Sequence, residues 1–88
     1  MATSVVMPKL GTTMEEGTIV KWHKAEGEYV NQGEILLTIE SNKAQVEVES
    51  TASGYLVKIL REENEDVSIM ETIGVISENM GDDISEFL

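Results

Sequence analysis

Apolar and polar residues alternate along most of this chain in short runs separated by turn residues, and no helical period persists. A period of two puts successive side chains on opposite faces of an extended strand. The alternation is clearest from Glu34 to Ser50, EILLTIESNKAQVEVES. Ile35, Leu37 and Ile39 are predicted to share one face of a first arm. In a second arm Ala44, Val46 and Val48 share one face, and Gln45, Glu47 and Glu49 the other. The pattern breaks at Ser41, Asn42 and Lys43, so the two arms are predicted to fold back on each other. Asn accepts left-handed backbone angles and bonds nearby backbone, so Asn42 suits the turn and sets Lys43 at its tip. An unpaired ammonium is costly to bury, and Lys43 is therefore predicted to be exposed and reachable.

The same reading predicts strands over Ser4–Met7, Gly17–Lys24, Tyr29–Val30, Tyr55–Leu60, Asp66–Ser68 and Thr72–Ser77. Lys9 to Glu16, KLGTTMEE, reads as a surface loop, and turns are marked by Gly27, by Asn31-Gln32-Gly33 and by the charged run Arg61 to Glu65. Residues 79–88 are acidic and without period, and are predicted to be a frayed tail or the start of a linker after a domain spanning residues 1–78. Eight short strands joined by turn clusters indicate an all-β barrel or sandwich.

An internal repeat sharpens this. At an offset of 37 residues, from Gly17 to Gly54, Val20 falls on Val57, Lys21 on Lys58, Glu26 on Glu63, Glu28 on Glu65, Val30 on Val67, Glu34 on Glu71 and Ile39 on Ile76. Two such half-units, neither able to bury its own apolar face, are predicted to close on each other with approximate two-fold symmetry. The hairpin bearing Lys43 then joins the halves, with the chain ends at the opposite pole.

Composition narrows the function. Six basic residues stand against seventeen acidic ones, a formal net charge of −11. That field repels nucleic acid and anionic membranes and favours a basic partner surface. No apolar run reaches the length of a membrane span, and the start, MATSVVMPKL, lacks the layout of a signal peptide, so the chain is predicted to be soluble and intracellular, or a domain cut from a longer protein. With no cysteine, neither a disulfide nor a thiolate zinc site is available. His23 is the only histidine and has no partner for an ordinary transition-metal site. No nucleophile with a base and no glycine-rich phosphate loop is present, so no catalytic residue and no metal ligand is assigned.

The segments MPKLGTTMEEGTIVKWHKAEGEYV (7–30), ESNKAQVEVES (40–50) and GYLVKIL (54–60) resemble the lipoyl domains of the acyltransferase components of 2-oxo acid and acetoin dehydrogenase complexes. The resemblance runs from about Val5 to Ser77. It implies a flattened barrel of two four-stranded antiparallel sheets with a quasi-two-fold axis, in agreement with the repeat. It also implies lipoate in amide linkage to Lys43, with Asn42 and Ala44 as the turn that a lipoate ligase or lipoyl transferase reads. Asn42 stands where the family has Asp, which removes a charge beside the arm. By resemblance, the loop residues Leu10, Gly11, Thr12, Thr13 and Met14 contribute to partner choice. Glu40 and Glu47, acidic residues of the hairpin, are further candidates for guiding a basic partner.

The resemblance implies a carrier with no turnover of its own, a monomer when isolated, whose parent chain is a dihydrolipoamide acyltransferase. The implied partners are the decarboxylase that loads the arm reductively, the acyltransferase catalytic domain that passes the acyl group to coenzyme A, and the flavoprotein dihydrolipoamide dehydrogenase that reoxidises it. The opening MPKLGTTMEEGTI looks closest to the pyruvate and acetoin branches, which carry acetyl groups. The implied compartment is bacterial cytoplasm or mitochondrial matrix. Two rivals are a biotinyl carrier domain and an unmodified barrel-sandwich interaction module. The biotinyl lysine normally stands in Met-Lys-Met, whereas Lys43 lies between Asn42 and Ala44.

Overall fold

The computed structural model describes residues 2–42 and 44–88. Among these, eight strands run in chain order: β1 (Ala2–Val6), β2 (Glu16–Trp22), β3 (Tyr29–Val30), β4 (Ile35–Ser41), β5 (Ala44–Glu49), β6 (Gly54–Ile59), β7 (Asp66–Ser68) and β8 (Thr72–Ser77). They form two four-stranded antiparallel sheets, ordered β1-β8-β6-β3 and β5-β4-β2-β7. Exchanging β1 with β5, β2 with β6, β3 with β7 and β4 with β8 turns one sheet into the other, so the all-β, quasi-two-fold barrel expected from the repeat is the fold.

The symmetry reaches individual side chains. Four pairs related by the offset of 37 are buried together in the core: Ile19 with Leu56, Val30 with Val67, Leu36 with Ile73 and Ile39 with Ile76. Each fully buried aliphatic side chain contributes about 1.5 to 3 kcal/mol relative to exposure, and neither half encloses its own set. Backbone irregularities repeat as well. The β4–β5 register shifts between Ile35 and Leu37, and the β1–β8 register shifts between Gly74 and Thr72. The residues skipped, Leu36 and Ile73, both turn into the core, and their carbonyls accept the N–H of His23 and of Leu60.

That shift corrects the alternation expected for the first arm. Leu36, Leu37 and Ile39 are buried while Ile35 is half-buried, because the extra residue of the bulge lets two neighbours face inward. In β5 the expected alternation holds, with Val46 and Val48 half-buried and Gln45, Glu47 and Glu49 exposed.

Paired glutamates join the halves. Glu63 Oε2 accepts the Trp22 N–H at 2.9 Å, and Glu26 Oε2 accepts the Ile59 N–H at 2.7 Å. Glu28 and Glu65 close their own turns by accepting the N–H of Ala25 and Glu62. Five of the seven repeat pairs, all but Val20 with Val57 and Lys21 with Lys58, fall at such turn or core positions, so much of the repeat is structural in origin.

Strand β5 carries the chain away from the hairpin turn for six residues, about 20 Å at the usual rise per residue. Residues 50–53 then cross to the other sheet, where Tyr55 pairs with Ser77 and Ser77 with Ala2. Both ends of the barrel strands therefore lie at the pole away from the turn. The tail is tied to the barrel near its start. Asp82 Oδ2 accepts the hydroxyl of buried Ser77 at 2.5 Å and the Asn79 N–H at 3.2 Å, and Ser85–Phe87 form a single 3₁₀ turn. The Ser77 hydroxyl is the main cause that holds the Asp82 carboxyl below its usual pKa.

Candidate functional site

The β4–β5 turn is tight because its last rung, Ser41 with Ala44, leaves only Asn42 and Lys43 between the strands. Asn42 is exposed with φ +49°, the left-handed conformation that Asn accepts more readily than other side-chain-bearing residues. Ala44 is exposed and offers only a methyl group. Lys43, and with it the expectation of an exposed amine, lies outside the described residues.

The β1–β2 loop, residues 7–15, lies beside this turn and is fastened at both ends. Met7 is fully buried, its N–H donates to Glu71 O at 3.0 Å, and its carbonyl accepts the Met70 N–H at 2.7 Å. At the other end the Glu15 carbonyl accepts the Ile69 N–H at 3.0 Å. Met14, 5% exposed, belongs to the core; its N–H donates to Gly11 O, and its sulfur accepts the Leu10 N–H at 3.2 Å. A Cβ at Gly17 would stand 2.9 Å from both Met14 Cε and Met7 Sδ, so the glycine leaves the space the two methionines fill. Met14 therefore anchors the loop from below, and its side chain is not displayed on the surface. Leu10, Gly11, Thr12 and Thr13 are exposed.

Two grooves flank the turn, one on each side of the loop. The larger, about 450 Å³, is lined by Thr13, Glu15, Glu16, Thr18, Glu40 and Asp66 together with Ser41 and Asn42. Thr18 Oγ1 donates to Asp66 Oδ1 at 2.5 Å across β2 and β7. Glu40 is half-buried and paired with Thr18 on one side and Gln45 on the other. The second groove, about 210 Å³, is lined by Leu10, Gly11, Thr13, Met14, Ser41, Asn42, Ala44 and Val46. One groove is therefore rimmed by four carboxylates and the other by none.

Of the expected site residues, the structure brings Asn42, Ala44, Leu10, Gly11, Thr13, Met14 and Glu40 to these two grooves. Thr12 and Glu47 are exposed outside both linings; Glu47 lies farther along β5, opposite Thr38. Sequence reasoning missed Asp66, Thr18 and Val46. Nothing local ties Asp66 to the turn, but the repeat does, because it sets β7 beside β2 just as β3 lies beside β6.

Trp22 and His23 belong elsewhere. The Trp22 indole packs against the core and donates from Nε1 to Arg61 O at 3.0 Å, and exposed His23 meets Thr38 Oγ1 through Nε2 at 2.7 Å. Among the described residues no group of three or more His, Cys, Asp or Glu is arranged to hold a metal ion, and no helix is long and apolar enough to cross a membrane.

This geometry has relatives. The biotin/lipoyl family, described as biotin-requiring enzyme, matches residues 3–76. The chain is 41% identical over 78 residues to the dihydrolipoyllysine-residue succinyltransferase component of the 2-oxoglutarate dehydrogenase complex of Bacillus subtilis, covering 89% of this chain and 19% of that one. It is 42% identical over 91 residues to the dihydrolipoyllysine-residue acetyltransferase component of the pyruvate dehydrogenase complex of Rickettsia prowazekii, covering all of this chain and 22% of that one. The chain thus spans about a fifth of the length of these relatives. Among solved structures, the lipoyl domain of the 2-oxoglutarate dehydrogenase complex from Azotobacter vinelandii is similar with a TM-score of 0.72 and 31% identity, covering 85% of this chain and 95% of that domain.

Proposed function

The chain belongs to the biotin/lipoyl family, and from that premise we propose that it is a lipoyl carrier domain with lipoate joined as an amide to Lys43. The observation that carries the proposal is the two-residue turn: Ser41 pairs with Ala44, and exposed Asn42 and Ala44 set no bulky side chain beside the lysine. These residues fit the group, since an attaching enzyme needs to reach one amine at a tight turn whose neighbouring side chains are exposed and small or polar. Relatives named for a dihydrolipoyllysine residue and a lipoyl domain of the same fold favour lipoate over biotin, as does the Asn-Lys-Ala setting in place of Met-Lys-Met.

When attached, lipoate supplies the dithiolane on which redox and acyl-carrying chemistry is done. The residues of this chain supply position. The bulged, doubly bonded β-frame holds the turn at one pole, and the chain ends leave from the other, so tethering to a larger assembly does not obstruct the arm. A tethered arm reaches each active site at an effective concentration on the order of mM without tight binding. Exposed Leu10, Gly11, Thr12 and Thr13, with Glu40 and Glu47, form the surface a partner meets first; Met14 supports it.

In this reading the partners are a 2-oxo acid decarboxylase, an acyltransferase catalytic domain and dihydrolipoamide dehydrogenase, with a lipoate ligase or lipoyl transferase attaching the arm. The cargo is an acetyl group, on the resemblance of MPKLGTTMEEGTI to that branch, and the setting is bacterial cytoplasm or mitochondrial matrix. The carrier unit is residues 1–78, with residues 79–88 leading into a linker. Intact-mass analysis after incubation with lipoate ligase, lipoate and ATP tests the assignment. One lipoyl group is expected on the wild type and none on Lys43→Gln, whose denaturation midpoint is expected to be unchanged. Gain of biotin with a biotin ligase, or no modification at all, rejects it. Reductive loading by purified decarboxylases, one substrate at a time, then tests the cargo: acetyl loading from pyruvate is expected, and preferential succinyl loading from 2-oxoglutarate overturns that choice.

A further inference from the structure

We propose that the arm has a resting place on this domain: the smaller groove between the β1–β2 loop and β5, which has no charged side chain among the described residues, and where an oxidised lipoyl group on Lys43 docks reversibly against Leu10, Met14, Ala44 and Val46. The inference rests on the carrier reading and goes beyond it, since carriage alone requires only a free arm.

Position is the first support. The groove is lined by Asn42 and Ala44, the residues on either side of Lys43 in sequence, so a chain leaving that lysine starts at the rim. Size is the second. At about 210 Å³ the groove lies below the roughly 300 Å³ at which drug-sized ligand pockets begin. It suits a short alkyl chain and one small ring and is too small for a nucleotide or a folded partner. The lining is the third support. Leu10 is 44% exposed, and half-buried Val46 and buried Met14 give an apolar wall and floor to a domain whose net charge is −11. An exposed leucine beside a methionine floor is an unfilled apolar surface that a neutral hydrocarbon covers well.

Charge makes the choice of groove depend on modification. On the other side of the loop Glu15, Glu16, Glu40 and Asp66 line a groove that favours a cation over a neutral group. Amide formation removes the positive charge of a lysine. The modified arm is neutral and apolar, and favours the groove that has no carboxylate. Docking shields the dithiolane between encounters and lays it along the loop that a partner meets.

The test uses the domain lipoylated by a ligase, with intact mass first showing one lipoyl group on Lys43. Absence of that group defeats the carrier reading and is thereby distinguishable from failure of the docking proposal. On the lipoylated domain, the methyl resonances of Leu10, Met14 and Val46 are expected to shift relative to the unmodified domain and to show nuclear Overhauser contacts to the dithiolane ring protons. Reduction of the ring by a water-soluble phosphine is then compared with the Leu10→Asp and Leu10→Met variants, both lipoylated. An arm docked half of the time is protected about twofold; Leu10→Asp is expected to remove that protection and Leu10→Met to keep it. Because Leu10 is substantially exposed, both variants are expected to keep the wild-type pattern of core methyl resonances. Complete lipoylation with shifts confined to Asn42 and Ala44, or with a reduction rate indifferent to Leu10→Asp, overturns the proposal.

Discussion

The two poles of this barrel are one backbone with different side chains. At the turn pole a rung across one sheet reads Gln45, Glu40, Thr18 and Asp66; at the pole of the chain ends its counterpart reads Ala2, Ser77, Tyr55 and Tyr29. In the first, Thr18 donates to Asp66 within an acidic groove. In the second, the rings of Tyr29 and Tyr55 meet edge to face at 5.2 Å, and Ser77 is buried and donates to Asp82 of the tail. The connecting loops differ as well: residues 7–15 enter β2, whereas residues 50–53 enter β6. The duplicated part of the chain makes the frame, and the parts without a twin, the long loop and the closed turn, make the site.

If the frame is truly shared, twin core residues should cost the same to remove. Ile39→Ala and Ile76→Ala are each expected to destabilise by about 3 kcal/mol, within about 1 kcal/mol of each other, since both are buried in one common core. Chemical denaturation reads both. A large inequality would mean that one half folds around its own core. Twin glycines, in contrast, should separate the halves. A Cβ at Gly54, which has φ +155°, would stand 2.6 Å from the Ser77 carbonyl oxygen, whereas a Cβ at Gly17 meets only the flexible ends of Met7 and Met14. Gly54→Ala is expected to cost about 2 to 3 kcal/mol and Gly17→Ala about 1 kcal/mol. Equal losses would show that the methionine packing under the loop is as rigid as backbone.

The frame was legible in the sequence because its chemistry is duplicated: the same glutamates, valines and glycines recur at one spacing, and the strands Tyr29–Val30, Asp66–Ser68 and Thr72–Ser77 fall where alternation and turn residues put them. The bulge at Leu36 was not legible, since three consecutive apolar residues, Ile35 to Leu37, carry no sign of which one is skipped. Met14 was hidden for the opposite reason. A lone methionine in the polar run KLGTTMEE reads as surface, and only the space above Gly17 shows why it is buried. The hook from Asp82 to Ser77 is one side-chain bond across a turn, which no periodicity reports. The hairpin turn itself was read correctly up to Asn42 and Ala44.

A smaller difference is expected between the glutamates that join the halves. Glu26→Ala and Glu63→Ala each leave a backbone N–H of the other half to water, a loss of about 1 kcal/mol or less in either case. Glu63 is expected to be the costlier, because the strand it holds ends in Trp22, which packs on the core. Acid should loosen the same kind of bond elsewhere. The Asn31 backbone N–H is the main cause that holds the Glu34 carboxyl below its usual pKa of 4.5, with Lys24 adding to it. A carboxyl lowered in the folded state contributes stability above its unfolded value, lost as pH falls through the folded one. The urea midpoint is therefore expected to fall on acidification below about pH 4.5, less steeply in Glu34→Gln. A midpoint that rises over that range would contradict the assignment.

The smallest expected effect comes from a turn where one twin is better suited than the other. Gly33 has φ +92° and Met70, at the matching position, φ +70°, and each donates its N–H to a residue that enters a connecting loop, Ser50 and Met7 respectively. Left-handed backbone costs a side-chain-bearing residue about 1 kcal/mol or more, while glycine adds less than that in unfolded-state entropy. Met70 is 66% exposed, so its side chain contributes little packing that would be lost. Met70→Gly is therefore expected to stabilise the domain by about 0.5 kcal/mol, and Gly33→Ala to destabilise it by about 1 kcal/mol, both read as shifts of the denaturation midpoint at constant slope. The two changes exchange the character of the twin turns, so opposite signs follow if backbone conformation governs both. Destabilisation by Met70→Gly would instead mean that the methionine side chain holds the base of the β1–β2 loop, and that the frame beneath the site is less duplicated than its hydrogen bonds.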